Sequence, residues 1–526
     1  MRVFKSSQEH KGGTFRVKKS TRQNLRNGKR RIARRLKNTK RKSRRGPVFT
    51  TGKLTYEIAA RSSGIAVGGI GAIHCLAHKS GLVKEIDSRL NLLKIHNPYC
   101  ESDHVLNIAY NILAGGTCLE DLELLRNNEN YLDALGAASI PDPTTAGDFC
   151  RRFEAIDVEI LEDAVNESRL RIWRDQPESF FEEAIIDADG TIAPTTGECK
   201  QGMDMSYKGE WGYHPLVLSL ANTNEVLSLR NRSGNRPSQE GAATQYEVAI
   251  DLTRRAGFKK ITLRGDSAFS QTEHLDRWHV DGVEFVFGYN ATANLVQLAD
   301  DLPQRAWKTL ERKKRQVKTR RRTRPLNVKE VIVKAREYEN IRLLGEEHAE
   351  FSYQPSQCDE TYRMVVVKKD LSHEKGQALL FESIKYFFYI TNKKDLSSDE
   401  VIFFANDRCN QEKLIDQLKN GVHSMRMPLD SLVSNEAYMA MASLPWTLKA
   451  WFALILPETG RWAGKHQAEK YKVLGMSFKS FMNGFIRMPA QIVRSGRQII
   501  FRLLDWNPLR HIFFRAVDAI DQRMLC

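Results

Sequence analysis

The spacing of apolar positions changes character near residue 183. Upstream, over residues 55–175, apolar side chains recur every three or four residues in Gly68–His78, Val105–Leu113 and Leu119–Arg126, which predicts helices. Gly115-Gly116 and Pro141-Asp-Pro143 separate them, and Thr144 or Thr145 is placed to cap a helix through Phe149 and Phe153. From Glu183 the apolar runs shorten. Glu183–Asp189 reads as a strand, with Ile185 and Ile186 leading into two acids. Tyr213–Leu220 and Glu225–Asn231 read as two more, joined by the hairpin signal Asn222-Thr-Asn224. A helix over Gln239–Arg255 ends at Gly257, and a strand over Ile261–Arg264 delivers Asp266. A helix over Gln271–His279 and a strand over Val283–Phe287 follow. The order β-β-β-α-β-α-β is the layout of a ribonuclease-H-like α/β core.

Residues 291–395 interrupt that layout. They open with basic runs at Arg312–Arg315 and Arg320–Arg322 and continue with strand-like segments at Val328–Val333, His348–Tyr353, Tyr362–Val367 and Tyr386–Thr391. This predicts a β-rich insertion. The core resumes with a helix through Glu412, capped by Asn406 or Asp407 and stopped at Asn420-Gly421. Residues 435–526 read as mainly helical, with basic amphipathic stretches such as Ile492–Ile500. The resulting division is a basic tail (1–46), a helical DNA-binding region (47–178), a core in two parts (179–290 and 396–434), the insertion (291–395) and a helical C-terminal region (435–526).

Charge sharpens this picture. The chain of 526 residues carries a net charge of +17, but residues 1–46 hold 19 Lys/Arg against one acid, Glu9. The rest is therefore close to neutral. Such a tail cannot bury enough surface to fold alone and is expected to be disordered in isolation. It serves either as a DNA-contacting arm or as a plain solubilising extension. The eight cysteines are scattered with no C-x-x-C pair, so neither a zinc ribbon nor a disulfide framework is expected, and a reducing compartment fits. No secretory leader pattern is visible, and the longest apolar stretches, Ile65–Ala77 and Trp446–Pro457, fall short of a membrane span. The expectation is a cytoplasmic, nucleoid-associated protein that meets a polyanion and no membrane.

Three acids carry the candidate chemistry. Asp187 and Asp189 point to the same face of their strand, and Asp189 precedes Gly190 and Thr191 where that strand ends. By itself, an acid there is also an ordinary turn residue. Asp266 ends a second strand, where it is equally placed to cap the next helix. Glu412 lies one turn from Arg408, and Lys419 eleven residues from Arg408, so the three share one face of a continuous helix. A surface stripe of ion pairs extended by Asp416 has the same spacing. Taken together, acids at two strand ends and on one helix suit two Mg²⁺ ions, with Mn²⁺ able to substitute, and the flanking cations suit phosphate. Such a pair of ions serves water or a 3′-hydroxyl as nucleophile.

These residues give a resemblance to bacterial insertion-sequence transposases of the Asp-Asp-Glu class, in the branch with a β insertion before the glutamate. Arg408, Glu412 and Lys419 match that branch's Tyr-x2-Arg-x3-Glu-x6-Lys signature in register, whereas Ala405, beside Phe403 and Phe404, stands at the tyrosine position. The similarity runs over about residues 48–480 and takes in Tyr213-His-Pro-Leu216, Leu229-Arg230, Arg264-Gly-Asp-Ser-Ala-Phe269 and Ser434-Asn-Glu-Ala437. It implies Asp189, Asp266 and Glu412 as metal ligands, with Asp187 as the fallback for the first. It also implies a homodimer acting on double-stranded DNA, at terminal inverted repeats and a target. Trp307 is where related enzymes hold a flipped base, although a core tryptophan is an equal reading. Arg230, Arg232 and Arg236 are candidates for the DNA path or for a solvated loop, and His214 reads as structural. The alternatives to a transposase are a structure-specific nuclease and a non-catalytic DNA-binding descendant.

Overall fold

The computed structural model describes residues 63–312 and 339–522, apart from 97, 198, 376–377, 496–497 and 505, with further stretches within 23–34 and 331–336. The tail expected to be disordered lies outside the described residues, except within 23–34, where residues 26–34 are helical. The chain divides into two compact units. One comprises Met1–Phe149, Glu167–Ile172 and Leu448–Cys526; the other comprises Cys150–Asn166 and Trp173–Thr447.

The second unit is built on one mixed sheet. Strand β1 (Glu183–Gly190) lies inside it because Ala184, Ile186 and Ala188 are fully buried. β2 (Leu216–Leu220) pairs with it antiparallel and continues through a hairpin into β3 (Glu225–Arg230). The strand expected from Tyr213 to Leu220 is two pieces, since Pro215, which has no N–H to donate, separates Trp211–Tyr213 from β2. Helix α1 (Ala242–Ala256) then leads to β4 (Lys260–Gly265), which runs parallel to β1, and on to β5 (Glu284–Tyr289), parallel to β4. Gly257 closes α1 at φ 94°, a left-handed value that glycine adopts without a Cβ clash.

The insertion does not stand apart from this sheet. Its strands are β6 (Lys308–Thr309), β7 (Glu339–Tyr353), β8 (Tyr362–Lys375) and β9 (Ala378–Thr391). β9 pairs antiparallel with β5, from Phe388↔Tyr289 to Thr391↔Val286, so insertion and core form one sheet of nine strands in the order β6-β7-β8-β9-β5-β4-β1-β2-β3. The expected strands at 348–353, 362–367 and 386–391 are only the inner ends of β7, β8 and β9. Their outer ends expose Ile341, Leu343, Leu379 and Phe381 and bury little, so no alternating pattern marks them. The strand expected at 328–333 lies outside the described residues except for 331–332, which are helical.

Helix α2 (Ser398–Asn406) packs on the join between insertion and core. Val401 and Ile402 meet Val286, Leu310, Val365 and Val367, with Tyr389, Phe403 and Phe404 around them. Ser397 caps this helix in a capping box with Glu400. α2 was not expected; the helix expected through Glu412 with a cap at 406 or 407 follows it as α3 (Cys409–Asp416), which has Arg408 at its N-cap.

The first unit contains the expected helices, now bounded as Ile70–Lys79, Glu101–Ala114 and Leu122–Arg126, and a further one that was not expected, Glu129–Leu135. The helix Pro143–Arg151 is capped by Asp142, which accepts from Thr145 N at 2.9 Å, and not by Thr144 or Thr145. Proline at the first helical position, just after an aspartate, explains the shift. The stretch 492–500 is not a helix. Ala490–Ser495 and Gln498–Leu503 form a hairpin, paired with Gly64–Ile65, as β-branched alternation about a two-residue connection favours. Among the described residues no helix is long and apolar enough to cross a membrane.

Ile402→Ala is expected to lower stability by about 2–5 kcal/mol, the usual cost of truncating a buried isoleucine. Denaturant unfolding measures it, and a loss under about 1 kcal/mol would mean that α2 is not anchored by this cluster.

Candidate active site

Asp187 and Asp189 leave β1 on the same face but meet different fates. Asp187 is 1% exposed, and both its oxygens are held by Arg264, itself 3% exposed, at 2.6 Å from Nε and 2.8 Å from Nη2. The two residues are register partners across the parallel β1–β4 ladder. Arg264 also donates to the Phe404 carbonyl at 2.6 Å and lies 4.9 Å from the centre of the Phe404 ring. Burial raises the Asp187 carboxyl above its ordinary range, and Arg264 draws it back down. Asp187 is thus a structural tie, not a second copy of Asp189.

Asp189 is only partly enclosed. Its Oδ2 accepts from Arg408 Nη1 at 3.0 Å, and Arg408 Nη2 lies 4.0 Å from Asp266 Oδ2. One guanidinium therefore faces the acids from two neighbouring parallel strands. Burial pushes the Asp189 carboxyl up to about 6; Arg408 opposes that rise and the Asp266 charge adds to it. For Arg408, burial works against the charge, but Asp189, Asp266, Asp187 and Glu412 outweigh it and hold it protonated.

Asp266 takes the capping place open to it. Its Oδ1 caps the turn Ser267–Phe269 by accepting from Ala268 N at 2.9 Å, and its other oxygen turns to Arg408. That turn passes close to β5. A Cβ on Gly288 would lie 2.8 Å from Ser267 N and 3.1 Å from the Asp266 carbonyl carbon, so only glycine lets the strand approach.

Glu412 does not join the other two acids. It is exposed on α3, one turn beyond Arg408. The neighbouring Gln411 is buried and fixes α3 to β2, bonding the Ser219 hydroxyl and the Val217 carbonyl, the latter at 3.1 Å. Among the described residues no three His, Cys, Asp or Glu side chains converge on one metal-sized point. Arg408 supplies the positive charge between Asp189 and Asp266. The donor set still suits a hard divalent cation, since two carboxylates face one space and share a single counterion.

Lys419 is not on a continuous α-helix. α3 ends at Asp416, and Lys419 sits in the π-helical turn Gln417–Gly421, where Nζ donates to the Ile192 carbonyl at 2.6 Å. Half-burial lowers its pKa. Arg230 lies between Glu162, at 2.8 Å, and Glu436, at 3.6 Å, and so is held by carboxylates where a DNA contact was expected. Arg232 bonds the carbonyls of His214, Pro237, Ser238 and Glu240, and Arg236 pairs with Glu240. His214 is buried and bonded to the Arg236 carbonyl at 2.7 Å, a structural place. Trp307 is half-buried, 6.3 Å from the Tyr386 ring, with Lys368 Nζ 5.6 Å above it.

Sequence reasoning missed Tyr389. It comes from β9, packs beside α2, and feels the charges of Arg312 and Arg408 on a phenol raised mainly by burial. No spacing rule links position 389 to 408; only the pairing of β9 with β5 does.

Residues 67–525 match the family described as transposase DDE domain group 1. Among solved structures, the chain is similar to piggyBac transposase in a cryo-EM synaptic complex with hairpin DNA, at 9% identity and a TM-score of 0.34, over 80% of this chain and 81% of that one. No curated protein sequence matches the chain.

The two strand acids are expected to respond oppositely to amidation. Asp187→Asn leaves Arg264 buried without its counterion and should cost about 3–5 kcal/mol. Asp189 has a folded pKa above the ordinary value, so its charge opposes folding at neutral pH. Asp189→Asn should therefore leave stability unchanged or higher. Chemical denaturation at pH 7 compares them, and equal losses would contradict the division of roles.

Proposed function

From the transposase DDE domain group 1 family, to which the chain belongs, we propose a DNA transposase that cleaves and joins DNA at the ends of a mobile element. The observation that carries the chemistry is the meeting of Asp189 and Asp266, from adjacent parallel strands, at the Arg408 guanidinium. A ribonuclease-H-like core is supported by the strand order β5-β4-β1-β2-β3, in which β2 alone runs against its neighbours β1 and β3 while β4 and β5 follow β1.

Asp189, Asp266 and Glu412 are the residues proposed to hold divalent ions, Mg²⁺ or Mn²⁺. When bound, a pair of such ions supplies an activated oxygen nucleophile and stabilises the leaving oxygen. Arg408 and Lys419 flank Glu412 and are proposed to draw the scissile phosphate in. Trp307, with Lys368 over its ring, offers an unpaired base a stacking face and its phosphate a cation. The register of Arg408, Glu412 and Lys419 supports the insertion-sequence branch, although Ala405 replaces its tyrosine. A homodimer on paired terminal repeats, the use of target DNA and a bacterial source belong to the same reading. The outward position of Glu412 favours a second reading, a DNA-binding relative without catalysis.

Incubation with Mg²⁺, terminal-repeat duplex and target DNA separates these readings. The wild-type chain is expected to nick the repeat ends and join them to target. Asp189→Asn, Asp266→Asn and Glu412→Gln are each expected to reduce cleavage to background. Cleavage without joining indicates a nuclease, and wild-type activity in any of the three variants overturns that residue's role. For the tail, each neutralised phosphate adds roughly −0.9 to the log–log salt slope. Deleting residues 1–46 is expected to flatten that slope and leave end recognition intact; lost recognition with an unchanged slope would contradict it.

A further inference from the structure

Tyr389 stands in the same row of the sheet as the two strand acids. It pairs with Gly288 across β9 and β5, Phe287 pairs with Gly265 across β5 and β4, and Arg264 pairs with Asp187 across β4 and β1. Carried on to the strand ends, that register sets Tyr389, Gly288, Asp266 and Asp189 side by side. Residues opposite one another across a ladder share a face, so all four belong to one face of the sheet. It is the face that carries Arg408, which bonds Asp189, and the face on which Tyr389 packs with Val286 and Val365. Neighbouring strands lie roughly 4.8 Å apart, so two such spacings separate Tyr389 from Asp266. Gly288 puts no side chain between them, and Ala405, near the end of α2, offers only a methyl group. The phenol therefore has room to lean across β5 toward Arg408.

This phenol carries a donor that the fold does not use. Tyr389 is only partly buried, and among the described residues its hydroxyl makes no hydrogen bond. Packing alone would be served by phenylalanine, the residue at both preceding positions of β9, Phe387 and Phe388. Burial raises the phenol above its ordinary range, and the charges of Arg312 and Arg408 oppose that rise, so it remains an O–H donor at neutral pH. Arg312 is already engaged, with Nη2 at 2.8 Å from Glu346 Oε1. Arg408 and the hydroxyl are thus a cationic donor and a neutral donor on one side of the acids. Such a pair suits an oxyanion with more than one oxygen to offer, as a phosphate has.

We propose that Tyr389 is a further catalytic residue, whose hydroxyl donates to a non-bridging oxygen of the DNA phosphate that Arg408 draws in. The proposal rests on the transposase reading and adds to it a group from the insertion. No proton changes hands: the phenol keeps its O–H bond, and the contact stabilises negative charge on the phosphate while one P–O bond forms and the other breaks.

Two measurements on the full chain test this. In Mg²⁺ with terminal-repeat duplex, Tyr389→Phe is expected to lower kcat/KM for cleavage about 10- to 100-fold, the effect of one hydrogen bond to a charged group. Its denaturation midpoint is expected to match that of the wild type, since the ring is kept. The second measurement needs no turnover. Tyrosine labelled with carbon-13 at Cζ gives one resonance that is missing from Tyr389→Phe. That resonance is expected to move when terminal-repeat duplex is added with Ca²⁺ in place of Mg²⁺, and to move in Glu412→Gln as well. If the wild type cuts nothing, the transposase reading fails and the resonance alone decides this proposal. Wild-type cleavage by Tyr389→Phe, a rate loss matched by a lowered midpoint, or a resonance that the duplex leaves in place overturns it.

Discussion

Arg264 and Asp187 form a bidentate ion pair almost sealed from water, and the candidate active site is arranged around it. Desolvating both charges costs several kcal/mol per ion, so the pair is poor evidence of stability. Its geometry has another use. It joins β1 to β4 at one register position and, through the Phe404 carbonyl, joins both to α2. A slip of one residue in β1 would turn Asp189 to the opposite face of the sheet. The charge pair that fixes the register therefore also aims the neighbouring acid, two residues along, at Arg408.

A second tie acts on the other partner. Gln411 is buried between α3 and β2, and its amide uses both its donor and its acceptor on that strand. Arg408 stands three residues before it, at the start of α3. Strand ends and helix start are thus fixed from opposite sides, and neither tie uses a residue assigned to chemistry. Asp189 and Asp266 are left as the groups with unbalanced charge, the condition expected of a site waiting for a partner.

Much of this was legible in the sequence. The alternation that ends in Asp189, the short strand before Asp266 and the turn glycines gave the core strands and their order. The pattern failed where burial is one-sided or absent. The outer halves of β7 to β9 carry no buried face, and the 490–503 hairpin has β-branched residues whose spacing also fits a helix. Ion-pair choice was not legible at all. Composition offers several arginines near each acid, and only the fold shows that Arg264 takes Asp187, that Arg408 takes Asp189, and that Arg230 is held by Glu162 and Glu436. The π-helical turn at Lys419 likewise defeats arithmetic that assumes 3.6 residues per turn.

The pairing of β9 with β5 has an architectural consequence. The chain leaves the core at Tyr289 and returns beside it at Phe388, one strand spacing away, roughly 4.8 Å. The segment between those residues joins the core sheet along this one seam, and Asp276 adds a second tie by accepting from Asp359 N, at 2.6 Å, and from the Tyr362 hydroxyl. A change in the length of the outer hairpins therefore leaves the two ends of the seam where they are, and with them the distances among Asp189, Asp266 and Arg408. The insertion is a slot in which a lineage can vary reach and surface while the acids keep their places.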